Sequence, residues 1–315
     1  MRWLLALVLV LVAPRVTPAE FKVGVTRLSL TKTSVTTGMP RALDPVVWYP
    51  ALVRHAAADG SPTQDAKVRR GRYPLLVFSH GSCGRPTEAT YYTTALASRG
   101  FVVVAPTHVG NTADDGFVAC TGNFIDSALN RFPDVKATID AMVAAATDSS
   151  SPFVRHLRPD VIGMTGLSFG GFTTLQAAQQ DDRLVAALSM VPGGTSALAQ
   201  GAEHDITIPA MVIGAERDQI VGYAESPLAF ARLAGPRFLV KLLAANHLSV
   251  VDDCFNHDLN ISLCVEADIS EDAAHALVLH YAVPFFRRYL RDARGAGRIL
   301  TRQIDGVELT AEPNR

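Results

Sequence analysis

The sequence predicts an α/β fold: a doubly wound, mostly parallel sheet with helices on both faces and an antiparallel edge near the N-terminus. Three observations carry that prediction. From Tyr73 onward, short apolar runs rich in β-branched residues alternate with longer helical patterns. The runs are apolar without a break, as strands covered on both faces are, rather than alternating as strands with one wet face do. The glycine-rich segment Gly166-Leu167-Ser168-Phe169-Gly170-Gly171 joins one such run directly to a helix, which places a tight turn at a strand end.

In chain order, Arg2 precedes the apolar run Leu4 to Ala13, and Thr17 and Ala19 supply small residues before a cleavage point. That run is short of the ~20 residues a membrane span needs and matches the core of a secretory signal. The expectation is a signal peptide over residues 1–19 and a single domain over 20–315, secreted or periplasmic. No later apolar stretch reaches a spanning length, so the mature chain is read as having no integral membrane span.

Val23 to Leu30 and Pro45 to Tyr49 read as the antiparallel edge strands, joined through Gly38-Met39-Pro40. Ala56 to Arg72 is polar and reads as a surface loop. Tyr73 to Ser79 reads as a buried strand ending in His80-Gly81, Thr87 to Ser98 as a helix, and Phe101 to Ala105 as the next strand. Gly110 to Arg131 reads as a long irregular stretch, of the kind that often walls a pocket. A helix from Phe132 to Ala146 follows. Then come strands at Val161 to Thr165, Val185 to Ser189, Ala210 to Ile213 and Phe238 to Leu242, with a helix from Phe169 to Gln179. Ser270, with Glu271 and Asp272 after it, caps a closing helix that runs to Leu290, with Pro284 set to kink or split it. The tail from Ala293 to Arg315 shows no role.

Composition narrows the partners. With 29 Lys+Arg against 30 Asp+Glu, the 315-residue chain has a formal charge of -1 and no electrostatic footprint for nucleic acid. At 48% hydrophobic it can offset its ordering entropy by burial, which excludes disorder as its main state. A small-molecule or lipid substrate fits better. The four cysteines suit an oxidising compartment and fall into two pairs. Cys254 with Cys264 is the preferred local pair because it closes the shorter loop, leaving Cys83 with Cys120. None of the four shows the spacing of a zinc site, so no metal is expected.

The chemistry centres on Ser168. Gly-x-Ser-x-Gly between a strand and a helix is a nucleophile elbow, which holds the serine Oγ above the sheet and aims a helix N-terminus at it. A serine hydroxyl needs a base, and the base needs a carboxylate to orient it. In this architecture the order along the chain is serine, acid, histidine. His247, in the loop after the strand ending at Leu242, is the preferred base, with His257 a weaker rival. His204 lies at the wrong edge, and His275 and His280 lie inside the closing helix. Asp218 is the preferred acid, with Glu216 its competitor. The tetrahedral intermediate needs two backbone donors. Phe169 N–H supplies one and Ser82 N–H, in His80-Gly81-Ser82-Cys83-Gly84, the other. His80 precedes the nucleophile and is read as holding this loop by hydrogen bonds.

Together, Val47-Trp48-Tyr49-Pro50-Ala51, Pro74 to Gly81, Gly100 to Pro106 and Gly166 to Gln176 resemble the secreted α/β-hydrolases that include platelet-activating-factor acetylhydrolase-like and predicted dienelactone hydrolase-like serine esterases. The resemblance implies the α/β-hydrolase fold and hydrolysis of carboxylic esters through an acyl-enzyme, often with short acyl chains and with no metal or organic cofactor. Ser168 stands where true dienelactone hydrolases carry cysteine, and Leu167 where relatives commonly carry histidine. The strand after the elbow helix ends in Ser189-Met190-Val191-Pro192, without the carboxylate that the acetylhydrolase branch uses there, which favours Asp218. The expected activity is therefore an exported serine esterase. A phospholipid or polyester hydrolase is the alternative within enzymes, and a hydrolase-fold binding protein without turnover is the alternative outside them.

Overall fold

A computed structural model of the chain describes residues 19–53, 60–195, 206–252 and 266–314. In chain order the strands are β1 (Lys22–Arg27), β2 (Thr31–Thr33), β3 (Pro40–Ala42), β4 (Val46–Ala51), β5 (Thr63–Gln64), β6 (Tyr73–Ser79) and β7 (Val102–Ala105). They continue with β8 (Leu157–Leu167), β9 (Leu184–Met190), β10 (Ala210–Ala215), β11 (Arg237–Leu242) and β12 (Val307–Glu312). The helices that bear on the site are α1 (Thr90–Ala97), α2 (Phe117–Gly122), α3 (Phe124–Ala145), α4 (Phe169–Gln180), α5 (Glu225–Ala231) and α6 (Glu271–Leu290).

Ten strands form one sheet in the order β12-β11-β10-β9-β8-β6-β7-β4-β1-β5, and β2 and β3 form a separate hairpin. β7, β6, β8, β9, β10 and β11 run parallel, while β4 pairs antiparallel with β7 and β1 with β4. This is the doubly wound sheet with an antiparallel N-terminal edge expected of an α/β-hydrolase fold. Alternate side chains of each strand face opposite layers. In β6, Leu76 and Phe78 join the core under α1 and α6, while Leu75 and Val77 join the core under α3. All four are fully buried, and each such side chain contributes about 1.5–3 kcal/mol by leaving water. Because the central strands are parallel, their C-terminal ends and the loops after them share one edge. Ligands of open α/β sheets bind along that edge.

Four sequence expectations need correction. The stretch Gly110 to Arg131 is largely helical: a 3-10 turn at Ala113–Asp115 leads into α2, and α3 begins at Phe124, well before Phe132. Pro133 lies inside α3 and does not break it. Pro284 lies inside one continuous α6, whose Tyr281, Val283, Phe285 and Phe286 are fully buried on both sides of the proline and hold its two halves on one core. Thr63 and Gln64, in the expected surface loop, add a short parallel strand to β1. The tail, finally, contributes β12, which pairs antiparallel with β11 from Arg237 to Leu242 and closes the far edge of the sheet.

Candidate active site

Ser168 follows directly on β8 and caps α4 with φ 54° and ψ −119°, a left-handed conformation that non-glycine residues avoid unless their surroundings impose it. The surroundings here are backbone. A Cβ on Gly166 would lie 2.5 Å from the carbonyl oxygen of Gly170, and one on Gly170 would lie 1.8 Å from that of Ser79. Both glycines are therefore required for β8, α4 and the end of β6 to meet. Ser168 N–H donates to Met190 O at 2.9 Å, which ties the turn to the neighbouring strand β9.

Asp218 and His247 come together at the same edge. Asp218 lies in the loop after β10, and His247 opens a 3-10 turn, His247–Val250, after β11. Asn246 caps that turn, its Oδ1 accepting from Leu248 N–H at 3.1 Å. His247 Nδ1 lies 2.7 Å from Asp218 Oδ2, with both side chains almost wholly buried. Asp218 Oδ1 accepts from the N–H groups of Ile220 and Val221 at 3.0 Å and of Gly222 at 3.3 Å. Burial alone would push the Asp218 carboxyl up. The His247 hydrogen bond and charge, with the backbone donors of Val221 and Ile220, outweigh it and hold the group below the ordinary carboxylate range. An ionised Asp218 only accepts, so His247 Nδ1–H is the donor of this bond and Nε2 is the ring nitrogen left for another partner.

The other candidates are accounted for individually. Glu216 accepts from Ala244 N–H at 3.0 Å and pairs with Lys241 at 3.3 Å, away from His247. His275 Nε2 lies 2.7 Å from Val251 O, and its ring stacks on Tyr91. His280 is buried in α6. His204 and His257 lie outside the described residues, as do Cys254 and Cys264. Cys83 and Cys120 form a disulfide that joins the loop after β6 to α2.

That loop adjoins the serine: a Cβ on Gly81 would stand 3.5 Å from Ser168 Cβ. Phe169 is the first residue of α4, and Ser82 lies next to Gly81. His80 is fully buried, its Nδ1 2.8 Å from Gly81 O and its Nε2 accepting from His108 N–H at 3.1 Å. Burial, then the nearby His108 and Arg131 charges, push its pKa well below the ordinary histidine value, so it stays neutral.

Beneath the loop lies a set of buried ionisable groups that the sequence reading missed. Arg131 and Asp134 of α3 are buried, with Glu88 and His108 beside them. Glu88 accepts from Gly81 N–H, and burial raises its carboxyl to about 8. His108 Nδ1 lies 3.1 Å from Asp134 Oδ2, and Asp134 also receives Arg41 at 3.1 Å and Lys32 at 3.1 Å. A signal for part of this set was present: Ser127, Arg131, Asp134 and Thr138 recur at helical spacing beside the apolar stripe Val135, Ile139 and Met142.

Proteins named as ester hydrolases share sequence or fold with this chain. A model of the PET hydrolase-like family matches residues 63–249, more than half of the chain. Cutinase est2 of Thermobifida alba is 29% identical over 148 residues, covering 47% of this chain and 43% of the cutinase. Cutinase est1 of the same organism is 28% identical over 148 residues, with the same coverage of 47% and 43%. The chain thus matches less than half the length of these relatives. A ferulic acid esterase from Streptomyces cinnamoneus superposes with a TM-score of 0.74 at 22% identity, over 92% of this chain and 96% of that one, and so shares its fold.

Proposed function

Because the chain belongs to the PET hydrolase-like family, we propose that it is an exported serine hydrolase that cleaves carboxylic esters, preferring short acyl chains, through an acyl-enzyme. The observation that carries the reading is the Asp218–His247 pair, bonded at 2.7 Å on the edge where the strained Ser168 elbow stands. In this reading Ser168 Oγ attacks the ester carbonyl and gives its proton to His247 Nε2. Asp218 holds the ring through Nδ1 and stabilises the imidazolium that forms. Ser82 and Phe169 N–H groups receive the oxyanion. His247 returns the proton to the departing alkoxide, and the ester carbon stays on Ser168. Water, giving a proton to His247, then bonds to the acyl carbon; the bond to Ser168 Oγ breaks, and His247 returns the proton to Oγ as the acid leaves.

Export is part of the proposal, supported by the signal-like residues 1–19 and by the Cys83–Cys120 disulfide, which suits an oxidising compartment. We read residues 20–315 as one domain, since β1 and β12, from opposite ends of that span, join one sheet.

Turnover of p-nitrophenyl esters from acetyl to palmitoyl, with Ser168→Ala alongside, tests the reading. It predicts activity that peaks at short chains and is lost in the variant. A Ser168→Ala protein that keeps its activity overturns it, and a wild-type chain that neither turns over nor reacts with a fluorophosphonate indicates a binding protein instead.

A second reading, a hydrolase of phospholipid or polyester, is favoured by one observation. Val118 at 84%, Ile125 at 76%, Phe117 at 51% and Phe124 at 51% exposure lie on α2 and α3, and the Phe124 ring stacks on Phe169 beside the serine. Activity on aggregated or polymeric ester well above that on soluble ester, lowered by Val118→Ser with Ile125→Ser, supports it. Equal loss on both substrates counts against it.

A further inference from the structure

Arg131 is the most deeply buried arginine among the described residues, only 1% exposed, and nothing in the hydrolytic steps above employs it. Its guanidinium meets an acceptor in every direction. Nη1 donates to His80 O at 2.6 Å and to Ser79 Oγ at 3.3 Å. Nη2 donates to Gly81 O at 2.9 Å and to Asn111 Oδ1 at 2.7 Å, and Nε to Ser127 Oγ at 3.4 Å. The guanidinium carbon also sits 4.3 Å from the centre of the Phe169 ring.

These contacts reach the peptide that carries one candidate oxyanion donor and the side chain of the residue that carries the other. The Gly81 carbonyl and the Ser82 N–H belong to one planar trans peptide and point in opposite directions. Holding Gly81 O from below therefore aims Ser82 N–H to the other side of the loop and polarises it as a donor. His80 Nδ1 holds the same oxygen at 2.8 Å. The preceding peptide is fixed likewise, with His80 O on Arg131 and Gly81 N–H on Glu88. Asn111, gripped by Arg131, donates in turn to Ser82 Oγ at 3.1 Å and to Cys120 O at 2.7 Å. The second donor, Phe169 N–H, belongs to the residue whose ring packs on the guanidinium.

We propose that Arg131 is the positioning residue of the oxyanion hole, a buried planar cation that sets the Ser82 and Phe169 donors at once. The inference rests on the reading of those two N–H groups given above. A lysine does not replace this geometry, because an ammonium is a point charge without the flat fork that spans two carbonyls and packs on a ring.

The test compares the full chain with Arg131→Met and Arg131→Lys, rates being expressed per folded molecule from thermal unfolding. Substrate is p-nitrophenyl acetate. Two inhibitors are used: an alkyl trifluoromethyl ketone, which adds to a serine as a tetrahedral oxyanion, and the matching methyl ketone, which only occupies the pocket. Arg131→Met is expected to lower kcat about 100-fold, the loss typical of a removed oxyanion donor, with KM little changed. Affinity for the trifluoromethyl ketone should fall in parallel, and that for the methyl ketone should hold. Arg131→Lys keeps the buried cation and is the informative variant if the neutral one does not fold; it is expected to lose about 10-fold or more in kcat.

Either variant overturns the proposal by keeping the wild-type kcat and trifluoromethyl ketone affinity, or by weakening both ketones equally, as a collapsed pocket does. Failure of the underlying reading shows separately. If wild-type Ser168 is not labelled by a fluorophosphonate, or Ser168→Ala still turns over, the oxyanion assignment falls whatever the Arg131 variants do.

Discussion

His247 Nδ1 and Asp218 Oδ2 lie 2.7 Å apart, in a pair shielded from water and braced by three backbone N–H groups on the other carboxylate oxygen. Asp218→Asn replaces an obligate acceptor with a group that also donates, so the Nδ1 proton is no longer enforced. In the proposed mechanism this removes the Nε2 lone pair, and kcat is expected to fall by about 10³–10⁴ with KM little changed. Glu216→Gln, whose partners are Ala244 N–H and Lys241, is expected to stay close to wild type. Steady-state kinetics of the two variants decide which acid serves His247, and the reverse ranking would reassign it.

The elbow and the central strands were legible because each leaves a local mark. Gly166 and Gly170 are demanded by backbone contact, and continuous apolar runs such as Leu75-Leu76-Val77-Phe78 announce two-sided burial. Asp218 and His247 could be placed because strand order fixes which loops share an edge. The first turns of α3 were illegible because polar Ser127, Asn130, Arg131 and Asp134 occupy its buried face, where a helix pattern shows apolar residues. Their partners, His80, His108, Gly81 and Asn111, lie far away in sequence, so no local window holds the network. β12 did leave a trace, with Val307, Leu309 and Ala311 alternating with Glu308, Thr310 and Glu312, but that alternation is unlike the continuous apolar runs of the central strands and did not announce a member of the same sheet. Ranking cysteine pairs by loop length took Cys254 with Cys264 and so left Cys83 for Cys120, the bond the structure shows, while Cys254 and Cys264 lie outside the described residues.

Stability should fall on the acid side because of His108. Burial, then the Arg131 charge, lower its pKa to about 4 against its hydrogen bond to Asp134. Between about pH 6.5 and about 4 the unfolded chain binds a proton that the folded chain refuses. Its contribution is fully present above pH 6.5 and lost as pH falls through the folded value, in all about 3 kcal/mol. His80, shifted in the same direction, adds to the slope. Urea unfolding at pH 7.5, 6, 5 and 4 should show His108→Asn losing about one proton of this dependence. Superimposable pH profiles for the variant and wild type would remove His108 from the account.

The Cys83–Cys120 bond closes a separation of 37 residues, for which the chain-entropy relation gives about 4 kcal/mol of stabilisation. Replacing both cysteines by serine should lower the unfolding free energy by roughly that amount. It should also slow turnover, since Cys83 follows Ser82 in the candidate oxyanion loop and adopts a positive φ of 56°. Denaturant unfolding and kcat for p-nitrophenyl acetate check the two effects. A double variant as active as wild type but less stable would confine the disulfide to a structural role.

Close packing of the elbow yields the sharpest contrast. On Gly170 a Cβ would lie 1.8 Å from Ser79 O, 2.5 Å from Ser79 C and 2.7 Å from His80 O, all backbone atoms at the end of β6. Such atoms cannot swing aside as a side-chain tip can, so relief must come from separating α4 from the strand and so displacing Ser168. Gly170→Ala is expected to cost about 3 kcal/mol or more, at or above the upper end for overpacked cores, and to abolish activity in whatever fraction folds. Gly122, at the end of α2, has no atom within 4 Å of the same added carbon, so Gly122→Ala should be neutral or slightly stabilising. Thermal unfolding of the pair measures the difference. If the two variants melt together, β6 and α4 do not meet as closely as this geometry has them, and the backbone demand for glycine in the elbow is gone.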